Sequence, residues 1–140
     1  MDARLALPET LIGKPEVVKS VIFVSGYWDG FLSGVVEVDG NRYWADCVQE
    51  EFFPDDLGEE AGDRVRRFAV YDLTPEQWAC LDENIELFER FVGTNCSKTK
   101  PRMLHPQGMW KNYYDSDTAK KMKGMLPELA KNPIVGWFEG

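Results

Sequence analysis

The stretch 74-TPEQWACLDENIELFERFVG-93 decides the fold class, because it carries a complete set of helix signals. Thr74 stands where an N-cap is needed, Pro75 at the first helical position and Gln77 three residues on, the pattern in which each side chain caps the other's backbone. Trp78, Leu81, Ile85, Phe88 and Val92 recur at spacings of three and four and draw one apolar stripe. Asp82, Glu83, Glu86 and Glu89 take the other side, and Gly93 supplies the stop. An amphipathic helix over residues 74–93 is therefore expected, with its stripe laid on a sheet.

The residues before it supply that sheet. Val17 to Ser25 is rich in β-branched and aromatic residues and reads as a strand, apolar on both faces and so expected to be central. Asp29-Gly30 and Asp39-Gly40 each lie between apolar runs, and Asp-Gly suits the positive φ angles of a tight hairpin. They bracket a second strand, 31-FLSGVVEV-38, in which Gly34 implies a bulge or a close backbone approach. A third strand follows over 41-NRYWADCV-48, and a fourth over Arg64 to Leu73. Between these two, residues 49–63 hold seven acidic groups and no basic one, broken by Pro54, Gly58 and Gly62, and read as a long acidic loop.

Outward from this centre the patterning weakens. Residues 1–16 carry Pro8, Gly13 and Pro15 and read as an irregular arm. Residues 94–116 are rich in breakers, basic groups and aromatics and read as an extended loop. In 117–140 a helical segment starts at Ser116 or Asp117 and is expected to kink or restart at Pro127. Asn132-Pro133 ends it, leaving IVGWF as a short strand or a core tuck. The expectation is one α+β domain over 1–140: an antiparallel meander of about four strands in 17–73, the helix, and a carboxy-terminal helical segment. A chain of 140 residues buries about two thirds of its unfolded surface, enough for a core without metal or disulfide.

Cys47, Cys80 and Cys96 match no zinc or redox spacing and read as reduced thiols, the first two as core packers. The amino terminus lacks a charged region followed by an apolar run, and no stretch approaches the ~18 apolar residues of a membrane span. Cytoplasmic residence is the expectation.

No residue pattern names a reaction. His105 is the only histidine, so a Cys–His or Ser–His–Asp device would have to run through it, and no family signature surrounds it. Asp55, Asp56, Glu59, Glu60 and Asp63 offer hard oxygen ligands but lack the calcium-loop spacing, and no phosphate-binding glycine loop is present. No cofactor or metal is expected.

Charge is more informative. Residues 1–93 hold 8 Lys/Arg against 20 Asp/Glu, and residues 94–140 hold 8 against 4, so an acidic body is joined to a basic tail. The preferred expectation is a binding or inhibitory protein that engages a basic partner surface such as that of a nucleic-acid-handling enzyme. An immunity protein, an antitoxin-like inhibitor or a phage-encoded anti-defence inhibitor fits this description. Asp46, Glu50, Glu51, Asp55, Asp56, Glu59, Glu60 and Asp63 are the contact residues, arrayed carboxylates standing in for phosphates. The same net charge of −8 argues against direct nucleic-acid binding by the basic tail.

The competing expectation is a nucleotide- or sugar-binding domain. In it Trp28, Asp29 and Trp44 of the aromatic hairpin would converge with Lys98, Lys100, Arg102 and His105. Homodimerisation through the aromatic sheet edge is a third.

Overall fold

Hydrogen-bond pairing turns the apolar runs into one sheet. The computed structural model describes the backbone of residues 1–56, 58–94 and 103–140, and the side chains of these except 58–61, 94, 103 and 104. Strands β1 (Ser20–Tyr27), β2 (Phe31–Val38), β3 (Asn41–Asp55) and β4 (Gly58–Tyr71) form an antiparallel meander, and β7 (Ile134–Glu139) adds a fifth strand beside β4. The order β1-β2-β3-β4-β7 makes the expected four-strand meander correct and settles IVGWF as a strand. Helices α1 (Pro75–Phe91), α2 (Trp110–Tyr114) and α3 (Asp117–Leu129) complete the α+β fold, with a two-residue ladder between β5 (Gly93–Thr94) and β6 (Met103–Leu104).

Turn chemistry sets the register. Asp39 and Gly40 have φ of 50° and 79°, a two-residue turn with both centres left-handed, and Val38 pairs directly with Asn41 across it. Gly34 marks a close approach: a Cβ there would stand 2.0 Å from the Phe23 carbonyl oxygen, so only glycine lets β1 bulge against β2.

Helix α1 follows its signals. Thr74 Oγ1 accepts from Gln77 N at 3.2 Å, and Gln77 Oε1 accepts from Thr74 N at 2.9 Å. Leu81, Phe88 and Val92 are buried against Phe23, Val35, Trp44, Ala69 and Trp137, while Trp78 and Ile85 are half-buried at the margin. Asp82, Glu83, Glu86 and Glu89 are exposed. The opposite sheet face has its own apolar cluster, built by Val36, Ala45, Phe68, Val70 and Phe138 from the alternate positions of the same strands.

Four expectations need correction. Among the described strands the first is an edge strand, with β2 as its neighbour. Its two apolar faces reflect cover on both sides, Phe23 packing against Phe88 of α1 and Val21 against the second cluster. Residues 49–63 are not a loop, since β3 and β4 stay paired from Gln49↔Arg67 to Asp55↔Gly58. Proline and glycine are tolerated there because a two-stranded ribbon outside the sheet needs only one hydrogen-bonding edge per strand. Residues 103–116 contain β6 and α2 rather than extended chain: the Val92 and Phe91 carbonyls accept from His105 N and Met109 N, and Trp110 and Tyr113 meet Phe88 edge-on. Finally, α3 continues through Pro127 to a fully buried Leu129, the lost N–H bond falling in its last turn.

The irregular arm is structural. Leu7 and Leu11 pack in the main core, Trp137 Nε1 donates to the Gly13 carbonyl at 3.0 Å, and Glu16 N donates to Trp137 O at 2.7 Å. Cys80 is buried and Cys47 half-buried. Cys96 lies outside the described residues. Among the described residues no helix is long and apolar enough to cross a membrane.

Candidate functional site

Strand β2 pairs with β3 only as far as Ser33↔Asp46, and β7 pairs with β4 only from Arg67 onward. Beyond these points, among the described residues, β3 and β4 pair with each other, with one further bond from Gly140 N to the Arg66 carbonyl at the base. They form a ribbon of about seven residues per strand, roughly 20 Å long at the usual rise of ~3.4 Å per residue. The acidic stretch of the sequence is this ribbon, so its carboxylates sit at strand spacing, with same-face neighbours about 7 Å apart.

Alternation sorts the ribbon into two faces. One holds Glu50, Phe52, Arg64 and Arg66, and its charges are compensated: the Arg66 guanidinium pairs with Glu50, and Arg64 lies over the Phe52 ring. The other holds Glu51, Phe53, Asp55 and Asp63. Here Arg4 of the arm stacks 4.4 Å from the Phe53 ring centre and reaches Asp63 at 3.2 Å. Arg4 also grips Asp2, at 2.6 Å, and holds that carboxyl at about 2. Glu51, Asp55 and Asp56 are exposed towards the tip. Glu59 and Glu60 belong to β4 by backbone, and their side chains lie outside the described residues.

Asp46 differs from the rest of the acidic set. It sits half-buried on β3, and desolvation raises its carboxyl above the usual 3.8, so in the fold its charge is disfavoured. A carboxyl raised in the native state stabilises below its unfolded value and loses that contribution as pH rises through the native one. Asp46→Asn is therefore expected to raise the melting temperature at pH 7, the gain vanishing below about pH 3.8. Thermal melts at both pH values check this.

The turn between β1 and β2 folds onto the base of the ribbon. Arg66 donates to the Trp28 carbonyl at 2.6 Å and to the Asp29 carbonyl at 3.0 Å, and Arg64 reaches the Asp29 carboxylate at 3.1 Å. These bonds pin the turn and leave the Trp28 side chain outward, the residue being 73 % exposed, with Tyr27 exposed beside it. Trp28 and Asp29 are thus joined to the acidic ribbon. Trp44 sits in the core facing α1, 2 % exposed, where it packs rather than stacks on a ligand. His105 lies at the end of α1, its Nε2 2.9 Å from the Glu89 carbonyl. Lys98, Lys100 and Arg102 lie outside the described residues. The link between turn and ribbon was missed because nothing local in the sequence tells Arg64 and Arg66 which carbonyls they will meet.

Among the described residues no cluster of three or more His, Cys, Asp or Glu side chains could hold a metal ion. No protein-family model, curated protein or solved structure matches the chain.

Proposed function

We propose that this protein binds a basic protein surface, of the kind that nucleic-acid-handling enzymes present, through the acidic ribbon and the aromatic turn fixed at its base. One observation carries the reading: the acidic stretch is a paired, projecting ribbon, which holds carboxylates at regular intervals where a loose loop would not. Ordered like charges steer association with a basic surface and mimic a phosphate row. Trp28 adds what charge lacks, a large exposed aromatic of the type that anchors interface centres. Blocking access to a partner's basic channel is the inhibitory outcome of such binding.

The two elements have separable kinetic roles. Neutralising Asp55, Asp56, Glu59 and Glu60 together to Asn and Gln should slow association about tenfold at low salt and little at 1 M, where the Debye length falls to ~3 Å. Trp28→Ala should instead speed dissociation, by about 30-fold for a hot spot of ~2 kcal/mol. Partners captured from a lysate of the producing cells would be measured by biolayer interferometry at both salt concentrations. Unchanged association of the quadruple variant with every captured protein would contradict the proposal.

A further inference from the structure

A cavity of about 400 Å³ lies between β1 and the three helices, away from the ribbon. That volume falls within the range of small-molecule sites. Its walls are mainly apolar, with Phe23, Phe88, Met122 and Leu126 among them. Phe88 meets Phe23 and Tyr113 edge-on, at ring-centre distances of 5.7 and 5.2 Å, so aromatic edges and faces line the space where a flat ring would lie.

Two polar features break this apolar lining. Asn84 of α1 borders the cavity and is 1 % exposed. Its Oδ1 accepts from the Tyr113 hydroxyl at 2.9 Å, which leaves the Nδ2 donors without an acceptor among the described residues. Exchanging the amide's oxygen and nitrogen would still leave one of its polar atoms unmatched. A buried amide in that condition calls for a partner inside the cavity. At the mouth stand Lys120 and Lys123, one helical turn apart on α3 and exposed. Neither has an ion-pair partner among the described residues, and none of the described lining residues is acidic. In a chain of net charge −8, two unneutralised ammonium groups at a cavity mouth select an anion.

We propose that this cavity binds a small aromatic carboxylate, its ring among Phe23, Phe88, Met122 and Leu126, its anion at Lys120 and Lys123, and a second acceptor at the Asn84 amide. The site is separate from the ribbon and stands or falls independently of the partner-binding reading. A carboxylate fits the mouth because each ammonium supplies several donors with no fixed direction. The acceptor for Asn84 distinguishes the ligand from a simple hydrophobic acid, since filling the cavity without satisfying Asn84 leaves the amide desolvated and unpaired.

The test uses three probes of nearly equal size: 6-hydroxynaphthalene-2-carboxylate, naphthalene-2-carboxylate, which lacks the far oxygen, and 6-hydroxynaphthalene-2-carboxamide, which lacks the charge. Calorimetric titration of the whole chain should show one saturable site for the first probe, about tenfold weaker binding of the amide and several-fold weaker binding of the acid without the hydroxyl. Lys120→Gln with Lys123→Gln should erase the preference for acid over amide, and Asn84→Ala should erase the preference for the hydroxyl. The lysine pair is on the surface, so that variant folds even if Asn84→Ala does not. Absence of saturable binding by the first probe, equal binding of acid and amide, or wild-type discrimination in the double lysine variant would each overturn the proposal.

Discussion

Replacing Arg67 with methionine is expected to destabilise the protein by about 3 kcal/mol or more. Arg67 is 0 % exposed although it carries a full charge. Its guanidinium is satisfied from three directions: Nε reaches Glu139 of β7 at 3.1 Å, Nη1 reaches Gln49 of β3 at 2.8 Å, and Nη2 reaches the Asp2 carbonyl of the arm at 2.8 Å. One side chain therefore ties two neighbouring strands and the amino terminus together at the base of the ribbon. Methionine leaves a partly buried carboxylate, an amide oxygen and a carbonyl without their donor, and stranding one partner of a buried pair typically costs ~3–5 kcal/mol. Glu139 keeps a bond from Asp2 N and some solvent contact, which places the cost towards the lower end. Arg67→Lys should recover part of it, because an ammonium carries the charge but lacks the fork that reaches three acceptors at once. Urea melts of the two variants check the order.

Leu81→Ala is expected to cost ~2–5 kcal/mol, a large share of the ~5–15 kcal/mol that stabilises a typical domain. Leu81 is fully buried in the cluster where α1 meets the sheet, and truncation removes apolar contact while leaving a void that close-packed neighbours fill only in part. Ile85 lies on the same stripe but is half-buried, so Ile85→Ala should cost less. Glu83→Ala, on the exposed side, should change stability by no more than about 0.5 kcal/mol. Denaturant melts of the three variants read the depth of burial along one helix. Equal losses at positions 81 and 83 would contradict the packing described.

The elements that could be read from the chain are those whose signals are local. The capping pair Thr74 and Gln77, the stripe from Trp78 to Val92, and the left-handed turn at Asp39-Gly40 all act over a few residues. Each is found where its pattern places it. Gly34 belongs with them, since a glycine inside a strand has few reasons to be there. The misreadings involve residues whose role depends on distant partners. Pro54, Gly58 and Gly62 mark breaks in a sheet interior, yet the isolated ribbon accommodates them while Arg4 of the arm covers Phe53 and the cross-strand Arg64 covers Phe52. The pattern of β1 shows that both faces are covered but does not show which neighbour is missing, so the edge strand reads as a central one. Tyr113 and Trp110 at a spacing of three were a legible hint of α2, hidden by the breakers before them. For the candidate site, the carboxylates could be read as a run, but not their division between two faces, one carrying the Arg66–Glu50 pair and the other reached by Arg4 of the arm at Asp63. Asn84 gave no warning either, because a polar residue beside the stripe reads as solvent-facing until its burial is seen.

The most direct test of the ribbon as the partner surface is amide hydrogen exchange on the protein alone and bound to a partner captured in a salt-sensitive way. Slowed exchange on binding is expected in residues 50–56 and 58–66 and in the turn 27–30, with α1 and α3 unchanged. A footprint on the helices or on the outer edge of β1, with the ribbon exchanging at its unbound rate, would contradict it.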